Sequence, residues 1–251
     1  MVHFVGAGCG APDLITVRGA RLLSQADVII YAGSLVNPAL LDYAKEGCEI
    51  HDSAKMTLEQ VVEVMKNADA QNKTTVRLHT GDSSIYGAVR EQFDALIRLG
   101  IDYDVCPGVS SMSGAAAALK AEYTLPEVSQ TVIVTRMEGR TPVPQKEKLR
   151  LLASHDATMV LFLSIGLLEE LQKELIEGGC APDTPAAIVY KASWPDERIF
   201  RCRVCELKET AERNGVKKTA LVLVGRFLGD EYARSRLYDP TFATEFREAE
   251  K

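Results

Sequence analysis

The chain has 251 residues, of which 46% are hydrophobic and 25% charged, and its formal net charge is −6 at pH 7. These values are typical of a soluble globular protein with a sizeable core. An acidic chain lacks the basic footprint of most nucleic-acid-binding proteins, and no apolar run reaches the roughly 18 residues that a membrane span needs. We therefore expect neither a nucleic-acid partner nor a membrane partner.

The N-terminal sequence MVHFVGAG has no basic region followed by a long apolar segment, so it does not resemble a secretory signal. The six cysteines are scattered along a chain too long to be a disulfide-stapled miniprotein. These two features predict a protein of the reducing cytoplasm.

Strand-like and helix-like patterns alternate along the first half of the chain. Helices are predicted at 14–26 and 113–120, with two more beginning at Asn37-Pro38 and at the capping box Thr57–Gln60. Strands are predicted at 2–6, 28–31, 48–51, 74–79 and 103–106. Such alternation favours a mostly parallel sheet covered on both faces.

A second alternating pattern follows the proline-containing stretch 121–128, which we interpret as a domain junction. Helices are predicted at 146–154, 167–177 and 206–213, and strands at 131–135, 158–163, 186–190, 199–204 and 220–224. The sequence therefore predicts two α/β domains with mostly parallel sheets, at 1–120 and 121–251.

Two similar loops follow strands in the central stretch, at 80–87 and 107–111. The carboxyl ends of strands in an open α/β sheet are where ligands are bound. Small residues at these points allow a ligand to approach the backbone closely. One such loop alone is explained by ordinary turn chemistry, but two at successive strand ends favour a binding site.

The first strand runs into a third glycine-rich loop, with Gly6, Gly8 and Ala11 in the G-x-G-x-x-A spacing of dinucleotide-binding sites. Those sites need an acidic residue at the end of the next strand, where this chain has Tyr31-Ala32-Gly33. A nicotinamide cofactor is therefore disfavoured, and close approach of another ligand is the better interpretation.

Other catalytic patterns are weak. Cys202 and Cys205 have no second pair or nearby histidine to complete a zinc site, and no metal is expected. No G-x-S-x-G elbow is present. His51 and His79 lie near strand ends, where either a core role or a proton-transfer role is open. The sequence identifies no catalytic residue.

Basic residues recur beside the predicted loops of the second domain: Arg136, Arg140, Lys146, Lys191 and Arg198. They indicate either an ordinary solvated surface or a site for an acidic substrate, since arginine binds carboxylates through two parallel hydrogen bonds. The sequence leaves both interpretations open.

The ordered motifs VGAGxGxPDLITVRGARLLSQADVIIY, GDSSIYG and PGVSS resemble the tetrapyrrole methylases, over essentially the whole chain. The stretches TLPEVSQTVIVTRMEGRTPVP and VYKASWPDE resemble one branch of that family, the precorrin-4 or cobalt-precorrin-4 methyltransferases of corrin synthesis, which methylate ring carbon eleven. The resemblance implies a homodimer of two α/β domains that binds S-adenosylmethionine in the cleft between the domains and a tetrapyrrole as substrate.

The same resemblance implies cofactor contacts from Thr80, Gly81, Asp82, Ile85, Ser110, Ser111, Leu163, Ser164, Ala192, Thr219, Ala220 and Leu221. For the substrate we expect contacts from Gly8, Tyr31, Ser34, His51, Arg136 and Arg140.

The chain departs from the family pattern in the first loop, where many relatives have Pro-Gly-Asp and this chain has Cys9-Gly10-Ala11. It also has Ala32 where many relatives carry a substrate-contacting aspartate, and Ser83 after Gly81-Asp82 where they carry proline. A methylase of another ring carbon, an rRNA methylase and a noncatalytic nucleotide-binding protein remain alternatives. The sequence does not say whether the substrate carries cobalt.

Overall fold

The computed structural model describes residues 1–249. Its internal contacts divide the chain into two compact units. The first unit contains Met1–Gly114 and the short segment Ala192–Asp196, and the second contains Ala115–Lys191 and the residues from Glu197 onward. The domain boundary at residue 120 stays a prediction, because these units reflect spatial contacts rather than independently folding lengths of chain.

The first unit contains a five-stranded sheet in the order β3-β2-β4-β1-β5, and every pair in it is parallel. The strands are β1 (Val2–Gly6), β2 (Val28–Tyr31), β3 (Glu49–Asp52), β4 (Thr75–His79) and β5 (Tyr103–Cys106). The strands match the predicted ones to within one residue. In this order β1 lies between β4 and β5, so the three loops singled out in the sequence leave adjacent strands.

The helices that follow these strands are α1 (Val17–Gln25), α2 (Leu58–Ala70), α3 (Arg90–Leu99) and α4 (Ser111–Leu119). The predicted capping box is confirmed, since the Thr57 and Gln60 side chains each bond to the other residue's backbone N–H. The predicted helix after Asn37 is instead a 3₁₀ helix, Pro38–Tyr43, capped by the Asn37 side chain.

Apolar residues pack on both faces of the first sheet, as parallel strands require. One face buries Val5, Ile29, Val76 and Leu78 with Leu23 of α1. The other buries a second group together with residues of α2 and α3, namely Val2, Phe4, Val28, Ile30, Met65 and Leu96.

The second unit contains a five-stranded sheet in the order β6-β7-β10-β8-β9. The strands are β6 (Val132–Arg136), β7 (Thr158–Phe162), β8 (Pro185–Tyr190), β9 (Arg198–Arg203) and β10 (Ala220–Val224). Only β6 and β7 pair in parallel, whereas β7–β10, β10–β8 and β8–β9 pair antiparallel.

Among the pairings within residues 1–249, five of eight are parallel, so the α/β class with mostly parallel sheets is confirmed for the chain as a whole. The β8–β9 pair is antiparallel because a parallel crossover needs a dozen or more residues. The connection between β8 and β9 is shorter than that.

The helices of the second unit are α5 (Leu149–Ala153), α6 (Leu168–Glu177) and α7 (Leu207–Arg213). They cover one core, in which Leu161, Leu171, Leu175, Ile188 and Val222 are fully buried. Within residues 1–249, none of the helices combines the length and apolar character that crossing a bilayer demands.

Candidate functional site

Three loops meet at the carboxyl edge of the first sheet, where β4, β1 and β5 end. The loop after β1 pairs with the loop after β4 through two backbone hydrogen bonds. The Gly81 N–H donates to the Gly8 carbonyl at 2.9 Å, and the Gly8 N–H donates to the Gly81 carbonyl at 3.2 Å. Both glycines have positive φ angles, +80° and +62°, which disfavour other residues.

The loop after β5 lies against the same pair so closely that only hydrogen fits on its glycine. A Cβ on Gly108 would lie 2.2 Å from the Gly81 carbonyl oxygen and 2.7 Å from Gly6 Cα. A Cβ on Gly6 would lie 2.6 Å from Gly108 Cα. The three backbones therefore form one glycine-only cradle, defined by Gly6, Gly81 and Gly108.

The carboxylate of Asp82 ties two of these loops together. Its Oδ2 accepts a hydrogen bond from the Gly108 N–H at 2.8 Å, and its Oδ1 accepts from the Ser84 N–H at 2.9 Å and from the Ser84 hydroxyl. Burial by itself would raise the pKa of Asp82, but these three bonds favour the charged form and together lower the pKa below its ordinary value. Asp82 is thus an anionic cross-link between the second and third loops.

The structure brings together the cofactor residues that the sequence predicts in the first unit. The Cα position of Gly81 faces Ser110 and Ser111, with a notional Cβ 3.6 Å from Ser110 Cα and 3.5 Å from the Ser111 nitrogen. Ser110 caps α4, because its carbonyl accepts from the Ser113 and Gly114 N–H groups. Ile85 is half-buried further along the same loop, and its N–H bonds the Asp82 carbonyl.

Thr80 contributes an unpartnered polar atom to this edge of the sheet. Its hydroxyl oxygen is buried and has no hydrogen-bond partner among residues 1–249. Buried hydroxyls in native proteins are generally hydrogen-bonded. This orphan hydroxyl, next to the glycine-only cradle, is the feature that points to a ligand.

His79 ends β4 immediately before this loop, and it is 5% exposed. Its Nε2 also has no partner among the described residues. Burial, with a smaller effect from the Arg77 charge, lowers the pKa of His79 to about 3, so the ring is neutral near pH 7. The proton-transfer role left open for His79 stays a hypothesis, and His79 is more evidently part of the buried face of the sheet.

Arg77 is a further buried group, which the sequence did not single out. It is 6% exposed, and burial lowers its pKa to about 10. It donates to the Gln92 side-chain oxygen at 3.1 Å and to the Ile30 carbonyl at 3.2 Å, and Gln92 in turn donates to the Ala88 carbonyl. Arg77 thus anchors the far end of the 80–89 loop through Gln92.

The cofactor residues predicted in the second unit gather at one edge of its sheet. Because β10 runs antiparallel to both neighbours, its first residues lie beside the ends of β7 and β8. Val222 pairs with Leu161, and Ala220 pairs with Tyr190. The residues at this edge are Leu163, Ser164, Thr219, Ala220 and Leu221, while Ala192 follows β8 in the segment grouped with the first unit.

Backbone strain marks this edge. Leu163 has a φ of 52° and is 64% exposed, and Thr219 has a φ of 55°. Non-glycine residues in this region cost about 1–3 kcal/mol and cluster at functional sites. The Ser164 hydroxyl, in contrast, is buried: it donates to the Phe162 carbonyl and accepts from the Met137 N–H. Its side chain holds the edge together.

The substrate residues predicted in the first unit are spread along its sheet. Gly8 belongs to the loop bridge described above. Tyr31 is the last residue of β2 and pairs with Leu78, next to β4. Ser34 is exposed in the loop that follows. His51 lies on the edge strand β3, which in strand order is the most distant from the three loops. Its Nε2 lies 2.7 Å from a carboxylate oxygen of Glu49.

Arg136 and Arg140 differ in the second unit. Arg136 donates three hydrogen bonds to the carbonyls of Met137, Thr141 and Pro142, so its guanidinium shapes the loop after β6. Arg140 is exposed in that loop. No described carboxylate pairs with either residue within ion-pair distance, and the proposed substrate contact remains a hypothesis for both.

Two residues that the sequence analysis did not predict, Ser193 and Trp194, pack on the first glycine loop. The Ser193 hydroxyl accepts from the Ala11 N–H at 3.0 Å and lies 3.4 Å from the Cys9 sulfur. The Trp194 ring lies against Gly10. The only signal available in the sequence was the branch-typical stretch VYKASWPDE that contains them.

Among residues 1–249, no group of three or more histidine, cysteine, aspartate or glutamate side chains has an arrangement able to hold a metal ion. The site on the first unit consists of the backbone cradle, the Asp82 carboxylate that joins two loops and the orphan Thr80 hydroxyl.

Comparison with known proteins identifies a family. Residues 1–208 match the family described as tetrapyrrole (corrin/porphyrin) methylases. The whole chain is 55% identical to a cobalt-precorrin-4 C(11)-methyltransferase of Methanocaldococcus jannaschii, covering 97% of that protein.

Two solved structures are similar as well. The X-ray structure of a cobalamin biosynthetic enzyme, cobalt precorrin-4 methyltransferase, superposes with a TM-score of 0.89 at 48% identity, over 91% of this chain and 96% of that one. A uroporphyrin-III C-methyltransferase of Thermus thermophilus, complexed with S-adenosylhomocysteine, gives 0.74 at 28% identity, over 90% and 92%. The chain belongs to the tetrapyrrole (corrin/porphyrin) methylases.

Proposed function

We propose that this methylase transfers a methyl group from S-adenosylmethionine to ring carbon eleven of cobalt-precorrin-4 or precorrin-4, in corrin synthesis. The observation that carries the cofactor is the glycine-only cradle of the first unit with the orphan Thr80 hydroxyl beside it. The substrate is supported by the cobalt-precorrin-4 methyltransferases named among its relatives.

The residues present fit S-adenosylmethionine. The glycines of the cradle let the three loop backbones pack directly on one another, which fixes the backbone beside the Thr80 hydroxyl. The buried Thr80 hydroxyl gains a partner if a polar group of the cofactor binds there. We propose the first-unit contacts as Thr80, Gly81, Asp82, Ile85, Ser110 and Ser111, and the others as Leu163, Ser164, Ala192, Thr219, Ala220 and Leu221.

The cofactor, when bound, supplies an activated methyl group on a sulfonium. The thioether that leaves needs no proton, so the chain's main task is to hold both reactants in line and exclude water. Asp82 contributes by fixing the loop backbones relative to each other. We name no general base.

The cofactor is tested by calorimetric titration of S-adenosylhomocysteine into the purified protein, with NAD titrated in parallel. Tight, near-stoichiometric binding of the thioether and none of NAD supports the proposal. Binding of NAD alone would mean that the Gly6–Ala11 loop is a dinucleotide site and would exclude the methylase mechanism.

The substrate is tested by methyl transfer to enzymatically prepared cobalt-precorrin-4, precorrin-4 and uroporphyrinogen III, with isotopically labelled methyl donor and NMR assignment of the methylated carbon. Methylation of either precorrin-4 at carbon eleven supports the proposal, and the ratio of the two rates decides whether cobalt is required. Turnover of uroporphyrinogen III alone would reassign the chain to another ring carbon.

We also propose that the protein is a cytoplasmic homodimer. All six cysteines are free thiols, as expected in a reducing compartment. Several large apolar side chains are strongly exposed on the single chain, among them Val17 at 88% and Tyr238 at 72%, and burial of such side chains in an interface would stabilise a dimer. Sedimentation equilibrium tests the dimer, and a monomer at micromolar concentration would contradict it.

A further inference from the structure

The short segment Ala192–Asp196 is separated by more than 180 residues from the first glycine loop, yet it is grouped with the first unit. Its contacts explain why. The Ser193 hydroxyl accepts a hydrogen bond from the Ala11 N–H at 3.0 Å and lies within hydrogen-bond distance of the Cys9 sulfur.

Trp194 completes the contact and is the only tryptophan of the chain. A Cβ on Gly10 would lie 2.2 Å from its Cδ1 and 2.5 Å from its Nε1, so this edge of the indole rests directly on the Gly10 backbone. The Gly10 carbonyl is held from elsewhere by the Asn37 amide, at 2.9 Å. Gly10 is therefore contacted by the indole and hydrogen-bonded by the Asn37 side chain.

This arrangement is kept despite strain. Ser193 has a φ of 65°, a region that non-glycine residues enter at a cost of about 1–3 kcal/mol and mostly at functional sites. Trp194 itself is only half-buried, although an indole gains most from complete burial. A segment that only held the glycine loop in place would require neither a strained serine nor the largest side chain.

We propose that Trp194, held on the 8–11 loop by Ser193, is a specificity-determining residue that packs against the tetrapyrrole macrocycle; this inference rests on the proposed function and deepens it. A half-buried indole offers a broad π surface suited to a large conjugated ring. The loop beneath it carries only small side chains and leads, through the Gly8–Gly81 bridge, into the cradle proposed for the cofactor. Methyl transfer requires the acceptor carbon to lie beside the cofactor.

The test compares Trp194→Ala with Trp194→Phe, which keeps an aromatic ring, and with Tyr43→Ala, which removes a half-exposed aromatic elsewhere in the first unit. We expect Trp194→Ala to raise KM for cobalt-precorrin-4 by about tenfold, as loss of one aromatic contact implies. We expect Trp194→Phe to recover most of that loss and Tyr43→Ala to resemble the wild type. The Kd for S-adenosylhomocysteine should stay within about threefold of the wild type in all three variants, because the cradle is unchanged.

A fourth variant moves the indole without removing it. The new Cβ of Gly10→Ala would lie 2.2 Å from the Trp194 Cδ1 and 2.6 Å from the Ala192 carbonyl oxygen, so it displaces the indole together with the backbone that carries it. We expect KM for the tetrapyrrole to rise in this variant also. An unchanged KM in both Gly10→Ala and Trp194→Ala would overturn the proposal. A loss of S-adenosylhomocysteine affinity in Trp194→Ala as large as its rise in KM would also overturn it, because that result indicates a purely structural role.

A binding measurement separates this inference from the proposed reaction. Uroporphyrin III is titrated by calorimetry into the wild-type and Trp194 variants, each saturated with S-adenosylhomocysteine. If the wild type turns over no precorrin-4 but binds uroporphyrin III more tightly than Trp194→Ala does, the proposed reaction is wrong. The proposal that Trp194 packs against the macrocycle is then still supported. If the wild type shows neither turnover nor macrocycle binding, both proposals are wrong.

Discussion

The two units prepare their candidate cofactor residues in opposite ways. In the first unit three glycines remove side chains from the place where the loops meet, and one carboxylate, Asp82, ties the backbones together. In the second unit the edge is built from non-glycine residues such as Leu163 and Thr219, held in strained conformations. The edge in the first unit is a backbone surface without side chains at its three glycines. The edge in the second unit presents side chains, and their backbone strain is a conformational cost.

The comparison predicts that adding a single methyl group, by a glycine-to-alanine substitution in the first unit, weakens cofactor binding most. A Cβ on Gly108 would overlap the Gly81 carbonyl, and overpacking of this kind costs roughly 1–3 kcal/mol. We expect Gly108→Ala to weaken S-adenosylhomocysteine binding by about 100-fold, measured by calorimetry. Gly166→Ala, at a second-unit glycine with open space around it, is the matched control and should bind normally.

Gly81→Ala is a milder version that keeps the test informative if the Gly108 variant does not fold. A Cβ on Gly81 meets only ordinary contacts, but its φ of +62° strains an alanine by about 1 kcal/mol. Binding should fall by about fivefold. Equal affinity of both glycine variants and the wild type would mean that the cradle is not the cofactor site.

The buried polar groups of the first unit predict a dependence of its stability on pH. The pKa of His79 is about 3 in the folded chain and about 6.5 when unfolded, so the unfolded state binds more protons between these values. Stability therefore falls as pH falls through that window. Between pH 7 and 5 this histidine should account for about 2 kcal/mol. Urea unfolding at both pH values should show that loss in the wild type and its absence in His79→Phe.

Replacing the Asp82 cross-link tests whether charge or shape holds the loops. Asp82→Asn keeps the size of the side chain but leaves one acceptor in place of two charged oxygens. Hydrogen bonds to charged groups contribute about 1.5–3 kcal/mol, and we expect S-adenosylhomocysteine affinity to fall by about tenfold. Asp94→Asn, at an exposed helical ion pair, should leave the affinity unchanged and serves as control.

A small effect is expected at the strained edge of the second unit. Leu163→Gly relieves the φ of 52° and should raise the free energy of unfolding by up to about 1 kcal/mol. If the exposed leucine contacts the cofactor, the same variant should bind S-adenosylhomocysteine about fivefold more weakly. Asn72→Gly relieves similar strain in the exposed turn before β4 and should gain stability without any change in binding. A matched result for both variants would remove Leu163 from the site.

Local sequence patterns predicted most of the strands and the two central loops, because the residues that end a strand and the glycines of the following loop are neighbours in the sequence. The direction of β10 was not predictable, since a period of two is the same in parallel and antiparallel strands. The contact between Trp194 and Gly10 joins residues more than 180 positions apart, and no local pattern encodes it. Arg77 was missed because a charged residue in a strand ordinarily predicts an exposed face.

The discontinuity of the first unit has a consequence during synthesis. Its sheet and glycine loops are complete in the nascent chain by Gly114, but the segment that holds Ala11 and Gly10 emerges about 80 residues later, some 4–16 s at roughly 5–20 residues per second. Until then the Ala11 N–H lacks its serine partner. No contiguous fragment of the gene that ends near residue 120 encodes this loop together with its clip.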